Sequence, residues 1–310
     1  MRAHFWTVLP RVRRALGLAP RFPGEPWRGT VVDAERGALA LSGKLSRPAR
    51  STTAVVLLHG LGGSCDSPYL TAVAAACDAA GAATLRLNLR GSDGAVGDFY
   101  HAGLTADLAA ALAAPELATY ERVLVAGFSL GGHVALRYAT EQHDPRLRAV
   151  AAVCSPLELL PAQRSFDRTP AWPYRRYVLG ELKRLYAAVA RHGPVPTPVA
   201  TVQRVRTLRE WDRLTVVPRF GFADPEDYYA RASVGPRLRA LAVPALLVAC
   251  PGDPMVPAAS IAAAAAAAGA ALDVRWVQRG GHVAFAADLD LGAAGPPGLP
   301  GQLAGWLLGR

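Results

Sequence analysis

An apolar run, Val123 to Ala126, leads straight into Gly127-Phe128-Ser129-Leu130-Gly131, after which Val134, Ala135 and Tyr138 recur at helical spacing. An unbroken run of this kind is the pattern of a strand covered on both faces. A strand that turns at once into a helix forces its turn residue into a strained conformation, and glycines two positions to either side let the neighbouring chain pass close. The stretch Glu121–Tyr138 therefore presents the Ser129 hydroxyl at the top of a sheet, beside the positive end of a helix. A G-x-S-x-G alone says little in a chain with 30 glycines. Its strand–turn–helix setting is what gives it weight.

The rest of the chain supplies a sheet for that turn. Thr30–Lys44 holds two strand-like runs around Glu35-Arg36-Gly37, a hairpin pattern. Thr53–Leu58 reads as a buried strand ending in His59-Gly60-Leu61-Gly62-Gly63, Tyr69–Ala80 as a helix, Ala83–Leu89 as a strand and Leu104–Ala114 as a helix. After the Ser129 turn come the strand Leu147–Cys154 and, much later, the strand Pro244–Cys250, an Ala-rich helix from about Ala258, the strand Asp273–Val277 and a closing helix from about Gln302. Strands alternating with helices predict an α/β fold with a mostly parallel, doubly wound sheet. The alternation lapses over residues 155–241, which carry Trp172, Trp211 and several tyrosines but no buried-strand pattern. We read this segment as a helical lid inserted into a single domain spanning 30–310, with residues 1–29 a surface segment without clear periodicity.

Serine is a poor nucleophile until a base takes its proton, and that base needs an acid to orient it. Asp253, in Pro251-Gly252-Asp253-Pro254, follows one core strand, and His282, in Gly280-Gly281-His282-Val283, follows another. The order Ser129, Asp253, His282 is the one this topology requires, at equivalent strand ends. Taken singly, Asp253 reads as a turn residue and His282 as a loop histidine; it is their joint placement that points to a triad. His133, His143 and His192 compete badly as the base, and Asp224 and Asp227 of the lid are the next carboxylates. An oxyanion needs two preorganised donors, expected from the backbone N–H groups of Leu61 and Leu130. His59 either braces the loop or takes part in proton transfer. The aromatics of the lid, Trp172 and Trp211 among them, either line a substrate slot or form the lid's own core.

Composition narrows the classes. Among 34 basic residues only Lys44 and Lys183 are lysine, and the net charge of +10 is spread over scattered arginines, with a cluster at Arg11, Arg13 and Arg14. No basic run alternates with aromatics, which argues against nucleic-acid binding and leaves room for contact with an anionic membrane surface. Pro10 and the neighbouring arginines break any signal-peptide run, and the apolar stretch Ile261–Leu272 is too short to span a bilayer. Cys65, Cys77, Cys154 and Cys250 lack metal-ligand spacing. These features lead us to expect a cytoplasmic protein without metal or organic cofactor.

Several segments together carry a resemblance. They are H-G-L-G-G-S-x-D-S-P-Y from His59, N-L-R-G from Asn88, F-Y-H-A-G-L-T-x-D-L from Phe99 and G-F-S-L-G-G from Gly127. Y-R-R-Y from Tyr174, R-T-L-R-E-W-D from Arg206, G-F-A-D-P-E-D-Y-Y-A-R-A-S from Gly221 and G-G-H-V from Gly280 complete the set. The chain resembles the YheT-like branch of the α/β-hydrolases over roughly residues 50–285, lid included, and through it the related ABHD hydrolases and yeast acyltransferases acting on medium-chain esters. The resemblance implies an α/β-hydrolase fold and a Ser-Asp-His esterase or acyl-transfer enzyme, with those roles on Ser129, Asp253 and His282. His133 departs from it, standing where an Asn is expected. The readings in order are a hydrolase of carboxylic esters, an alcohol O-acyltransferase using an acyl thioester, and a non-catalytic binding protein on the same fold.

Overall fold

The computed structural model describes residues 2–17, 21–141 and 144–310; His143 lies outside them. The first half of the chain carries α1 (Arg2–Ala15), β1 (Glu25–Asp33), β2 (Gly37–Ser46), β3 (Thr53–Leu58), α2 (Pro68–Ala79), β4 (Ala83–Asn88), α3 (Ala106–Leu112), α4 (Pro115–Ala118), β5 (Arg122–Phe128), α5 (Leu130–Thr140) and β6 (Leu147–Val153). The segment between β6 and the next strand is helical: α6 (Leu159–Phe166), α7 (Trp172–Val189), α8 (Val199–Val202), α9 (Leu208–Leu214), α10 (Val216–Phe220) and α11 (Pro225–Ala232). The scaffold then resumes with β7 (Ala245–Ala249), α12 (Ala258–Ala266), β8 (Leu272–Trp276) and α13 (Leu299–Leu308).

The strands form one sheet in the order β1-β2-β4-β3-β5-β6-β7-β8. The β1–β2 and β2–β4 pairs are antiparallel, and every pair from β4 to β8 is parallel. Strands β3 and β4 are buried along their whole length, as a parallel sheet covered on both faces demands. One face packs on α5 and the lid helices, the other on α2 and α13. The edge strand β1 instead alternates, with Trp27 and Val31 buried and Val32 79% exposed.

Two features go beyond the sequence reading. Strand β1 begins at Glu25, before the expected Thr30, and residues 2–15 are helical where no periodicity is evident. The lid is also tied down by charge. Arg219 on α10 donates to both oxygens of Asp98, at 2.9 and 2.8 Å, and to Asp33 at 2.9 Å. Arg90, at the end of β4, meets the same Asp98 and Asp33 and also Asp107. Arg90, Asp98, Asp107 and Arg219 are all buried. Burial pushes the Asp33 carboxyl up, but hydrogen bonds from the Glu35 amide, Arg219 and Arg90 outweigh it and hold the group well below the usual carboxylate range.

Candidate active site

Ser129 caps the N-terminus of α5 with φ +52° and ψ −120°, a conformation disfavoured for any residue with a Cβ. The glycines around it are needed sterically: a Cβ on Gly127 would sit 2.2 Å from the Gly131 carbonyl oxygen, and one on Gly131 would sit 2.4 Å from that of His59. The turn is anchored from below by the Ser129 amide, which donates to the Val153 carbonyl at 2.8 Å.

Asp253 and His282, 29 residues apart, meet through His282 Nδ1 and Asp253 Oδ2 at 2.8 Å. The Met255 and Val256 amides donate to the other oxygen of Asp253, at 2.8 and 3.2 Å, so the carboxylate is fixed in place. Since Asp253 accepts, Nδ1 carries the proton and Nε2 is the acceptor of the ring. Ser129 and His282 both line a cavity of about 350 Å³. Asp224 accepts the Asp227 amide as the cap of α11, and Asp227 accepts the Ala223 amide and pairs with Arg231, so both carboxylates have structural tasks away from His282.

Cys154 adds a buried thiol to this corner. It repeats the strained backbone of Ser129, with φ +50° at the end of the adjacent strand β6. Its Sγ, the Asp253 carboxylate and the His282 ring nitrogen lie within 4.8 Å of one another. Such a set could in principle hold a metal ion, but here Asp253 and His282 are engaged with each other. Burial and the neighbouring Asp253 charge push the Cys154 thiol well up, which keeps it protonated.

The two expected oxyanion donors also line the cavity. On either side of Leu61 the loop amides are occupied: Gly60 donates to the Tyr69 hydroxyl at 3.1 Å and Gly62 to the Tyr100 hydroxyl at 2.8 Å. Among the described residues no acceptor receives the Leu61 amide, and the Leu130 amide opens α5, where no intrahelical acceptor exists.

His59 is a brace by its contacts. Its Nδ1 donates to the Gly60 carbonyl at 2.8 Å, and its Nε2 accepts the Leu89 amide at 3.2 Å and lies 3.1 Å from the Ser92 hydroxyl. Burial lowers its pKa to about 4, so it stays neutral. His133 spans two carbonyls, Pro156 at 2.7 Å and Ala232 at 2.9 Å, near the two ends of the lid. An Asn amide, with two N–H groups, would suit the same pair of acceptors.

The lid aromatics divide. Trp211 is buried, lines the cavity and meets Tyr186 edge-on with ring centroids 5.7 Å apart. Trp172 is 52% exposed and lies under the Arg176 guanidinium, outside the cavity wall. Helix α1 supplies wall residues that the sequence did not signal: Thr7 and Val8 line the cavity, and Thr7 Oγ1 accepts the His282 amide at 2.8 Å. A Cβ on Gly281 would strike the Ala3 carbonyl oxygen at 2.2 Å, which explains the glycine before His282. No described helix is long and apolar enough to cross a membrane.

A mostly parallel sheet with a serine at a strained strand–helix turn, and a His–Asp pair on later strand ends, defines the α/β-hydrolase class. The chain belongs to the alpha/beta hydrolase family, whose model it matches over residues 55–292. Within that family it is similar to YheT of Escherichia coli (strain K12), a protein that carries an esterase's name, at 30% identity over 82% of this chain and 75% of that one. It is 27% identical to the medium-chain fatty acid ethyl ester synthase/esterase 2 of Saccharomyces cerevisiae, over 65% of this chain and 51% of that protein. Its fold superposes on the Pyrococcus furiosus esterase Pf2001 with a TM-score of 0.57 at 16% identity, covering 87% and 85% of the two chains.

Proposed function

We propose that this protein hydrolyses carboxylic esters of short or medium acyl chains through an acyl-enzyme. The observation that carries the reading is the 2.8 Å bond from His282 Nδ1 to an Asp253 already fixed by two amides, in a ring that shares its cavity with Ser129. His282 Nε2 takes the Ser129 proton as Oγ attacks the ester carbonyl, and Asp253 stabilises the resulting imidazolium. The Leu61 and Leu130 amides, which have no acceptor among the described residues, receive the negative oxygen. His282 then protonates the leaving alcohol, and in the second half takes a proton from water as it attacks the acyl-serine. The mostly apolar and aromatic cavity wall suits an acyl chain.

The yeast relative's name, synthase as well as esterase, supports a second reading in which an alcohol replaces water at the acyl-serine. Fluorophosphonate labelling followed by a chain-length series of nitrophenyl esters, with and without added ethanol, tests both. Absence of labelling and turnover would leave a binding protein on a hydrolase fold. Contact with an anionic membrane surface is part of this reading: Phe5, Val8, Trp172 and Tyr177 are exposed, and Val8 and Tyr177 also line the cavity. Vesicle co-sedimentation measures it.

A further inference from the structure

The peptide bond that leads into His282 is held at both of its polar ends. Its N–H, that of His282, donates to Thr7 Oγ1 at 2.8 Å, and its carbonyl, that of Gly281, accepts the Cys154 thiol at 3.4 Å. In a trans peptide these two groups point opposite ways, so the partners grip the plane from either side. Thr7 belongs to α1, whereas Cys154 directly follows β6 and is fully buried. Helix α1 also fills the space beside this peptide: a Cβ on Gly281 would sit 2.6 Å from Thr7 Oγ1. The plane is wedged between a helix at the surface and a strand end in the core.

The backbone here needs holding. Among the described residues four that are not glycine have positive φ, and three of them, Ser129, Cys154 and Val283, at +52°, +50° and +58°, belong to this corner. Val283 is branched at Cβ and directly follows His282, so its conformation is costly and persists only where the surroundings impose it. If the Gly281–His282 plane turned, the Cα–Cβ bond of His282 would swing and carry Nε2 away from Ser129, since Asp253 fixes only the Nδ1 edge of the ring. Cys154 Sγ is also within 4.8 Å of Asp253 and of the ring. The Asp253 oxygens, however, already accept the Met255 and Val256 amides and His282 Nδ1, which leaves the single thiol proton to the Gly281 carbonyl. Burial and the Asp253 charge push the thiol pKa up, so that proton is retained.

We propose that Cys154 is a positioning residue for His282, setting the tilt of the imidazole by holding the Gly281–His282 peptide opposite Thr7. The proposal rests on His282 being the base of an esterase. In the full-length protein Cys154→Ala removes only the thiol, and kcat for a nitrophenyl ester is expected to fall about tenfold with KM little changed. Cys154→Ser, which restores a donor, is expected to recover most of the loss. Cys154→Gly relieves the positive φ and also lacks the donor, so it reports the same loss even where the alanine variant fails to fold. A merely structural defect would not couple to Thr7. The double variant Thr7→Val/Cys154→Ala is expected to stay near the tenfold loss of either single change, because a plane released at one end is already free to turn. A loss equal to the product, about a hundredfold, would place the thiol's effect on another group, Asp253 above all, and overturn the proposal. A second readout needs no turnover. The His282 Nδ1 proton, donated to a carboxylate, is followed as a low-field proton resonance, and Cys154→Ala is expected to shift it and speed its exchange with water. An unmoved resonance overturns the positioning role. A resonance that moves in a protein without esterase turnover would sink the hydrolase and keep the positioning role, and turnover with an unmoved resonance would do the reverse.

Discussion

Thr7 Oγ1 accepts the backbone amide of His282 at 2.8 Å, joining two residues 275 positions apart. The same hydroxyl donates back to Ala3, so it is fixed in its own helix and the His282 loop leans on it. Thr7→Val keeps the shape and removes the acceptor, leaving an N–H unpaired at a cost of about 1–3 kcal/mol. We expect kcat/KM for a nitrophenyl ester to fall about tenfold, with Thr7→Ser restoring it. An unchanged rate in Thr7→Val would mean that the loop holds its shape unaided.

Ser129→Ala is expected to abolish fluorophosphonate labelling and ester turnover while the circular dichroism spectrum and melting temperature stay near those of the parent. Labelling that persists moves the nucleophile elsewhere.

Asp253→Asn preserves the shape, but its amide favours the wrong tautomer of His282. By analogy with serine proteases kcat is expected to drop by roughly 10³–10⁴. Near-normal kcat would assign the role to another carboxylate, which the capping contacts of Asp224 and Asp227 make hard to find in the lid.

The placement of the three strand-end residues was legible because each follows a core strand, and core strands announce themselves as unbroken apolar runs. Leu61 and Leu130 followed from the same turns. Helix α1 was not legible, since its Pro and Arg residues blur any apolar stripe and its anchors, Thr7 on the His282 amide and His4 on the Tyr174 hydroxyl, have partners far along the chain. The division between Trp211 and Trp172 was equally hidden: both are lid tryptophans, and only packing separates them.

That division is itself testable. Trp211→Ala empties part of the cavity wall and its contact with Tyr186, so stability is expected to fall by about 3–5 kcal/mol and chain-length preference to shift. Trp172→Ala is expected to stay within about 0.5 kcal/mol and to leave chain-length preference alone. Urea melts and a nitrophenyl ester series on both variants give the answer, and matching behaviour would refute the distinction.

Buried histidines set the acid limit. Burial lowers His101 from the ordinary 6.5 to about 3, and His59 from 6.5 to about 4. Both are neutral when folded and take up a proton only when unfolded as pH falls below 6.5, so stability rises with pH between the folded and unfolded values and is lost on acidification. Asp212, raised to about 8, acts in the opposite sense and favours the fold as pH drops from about 8 towards 4. Whatever its effect at neutrality, His101→Phe is expected to reduce the loss between about pH 7 and pH 5 by about 2 kcal/mol. An unchanged pH slope in urea unfolding would show that His101 titrates normally.

The ionic cluster under the lid bears on how members of this family can exchange parts. Arg219 belongs to the insertion, but the carboxylates that neutralise it, Asp98 and Asp33, belong to the scaffold. A chimera that moves residues 155–241 alone into another hydrolase would bring a buried guanidinium with no counter-charge, a loss of several kcal/mol. The donor scaffold, keeping Arg90, would in turn hold more buried carboxylates than cations. The lid is therefore not a portable cassette, and its borders in any graft must include Asp33 and Asp98.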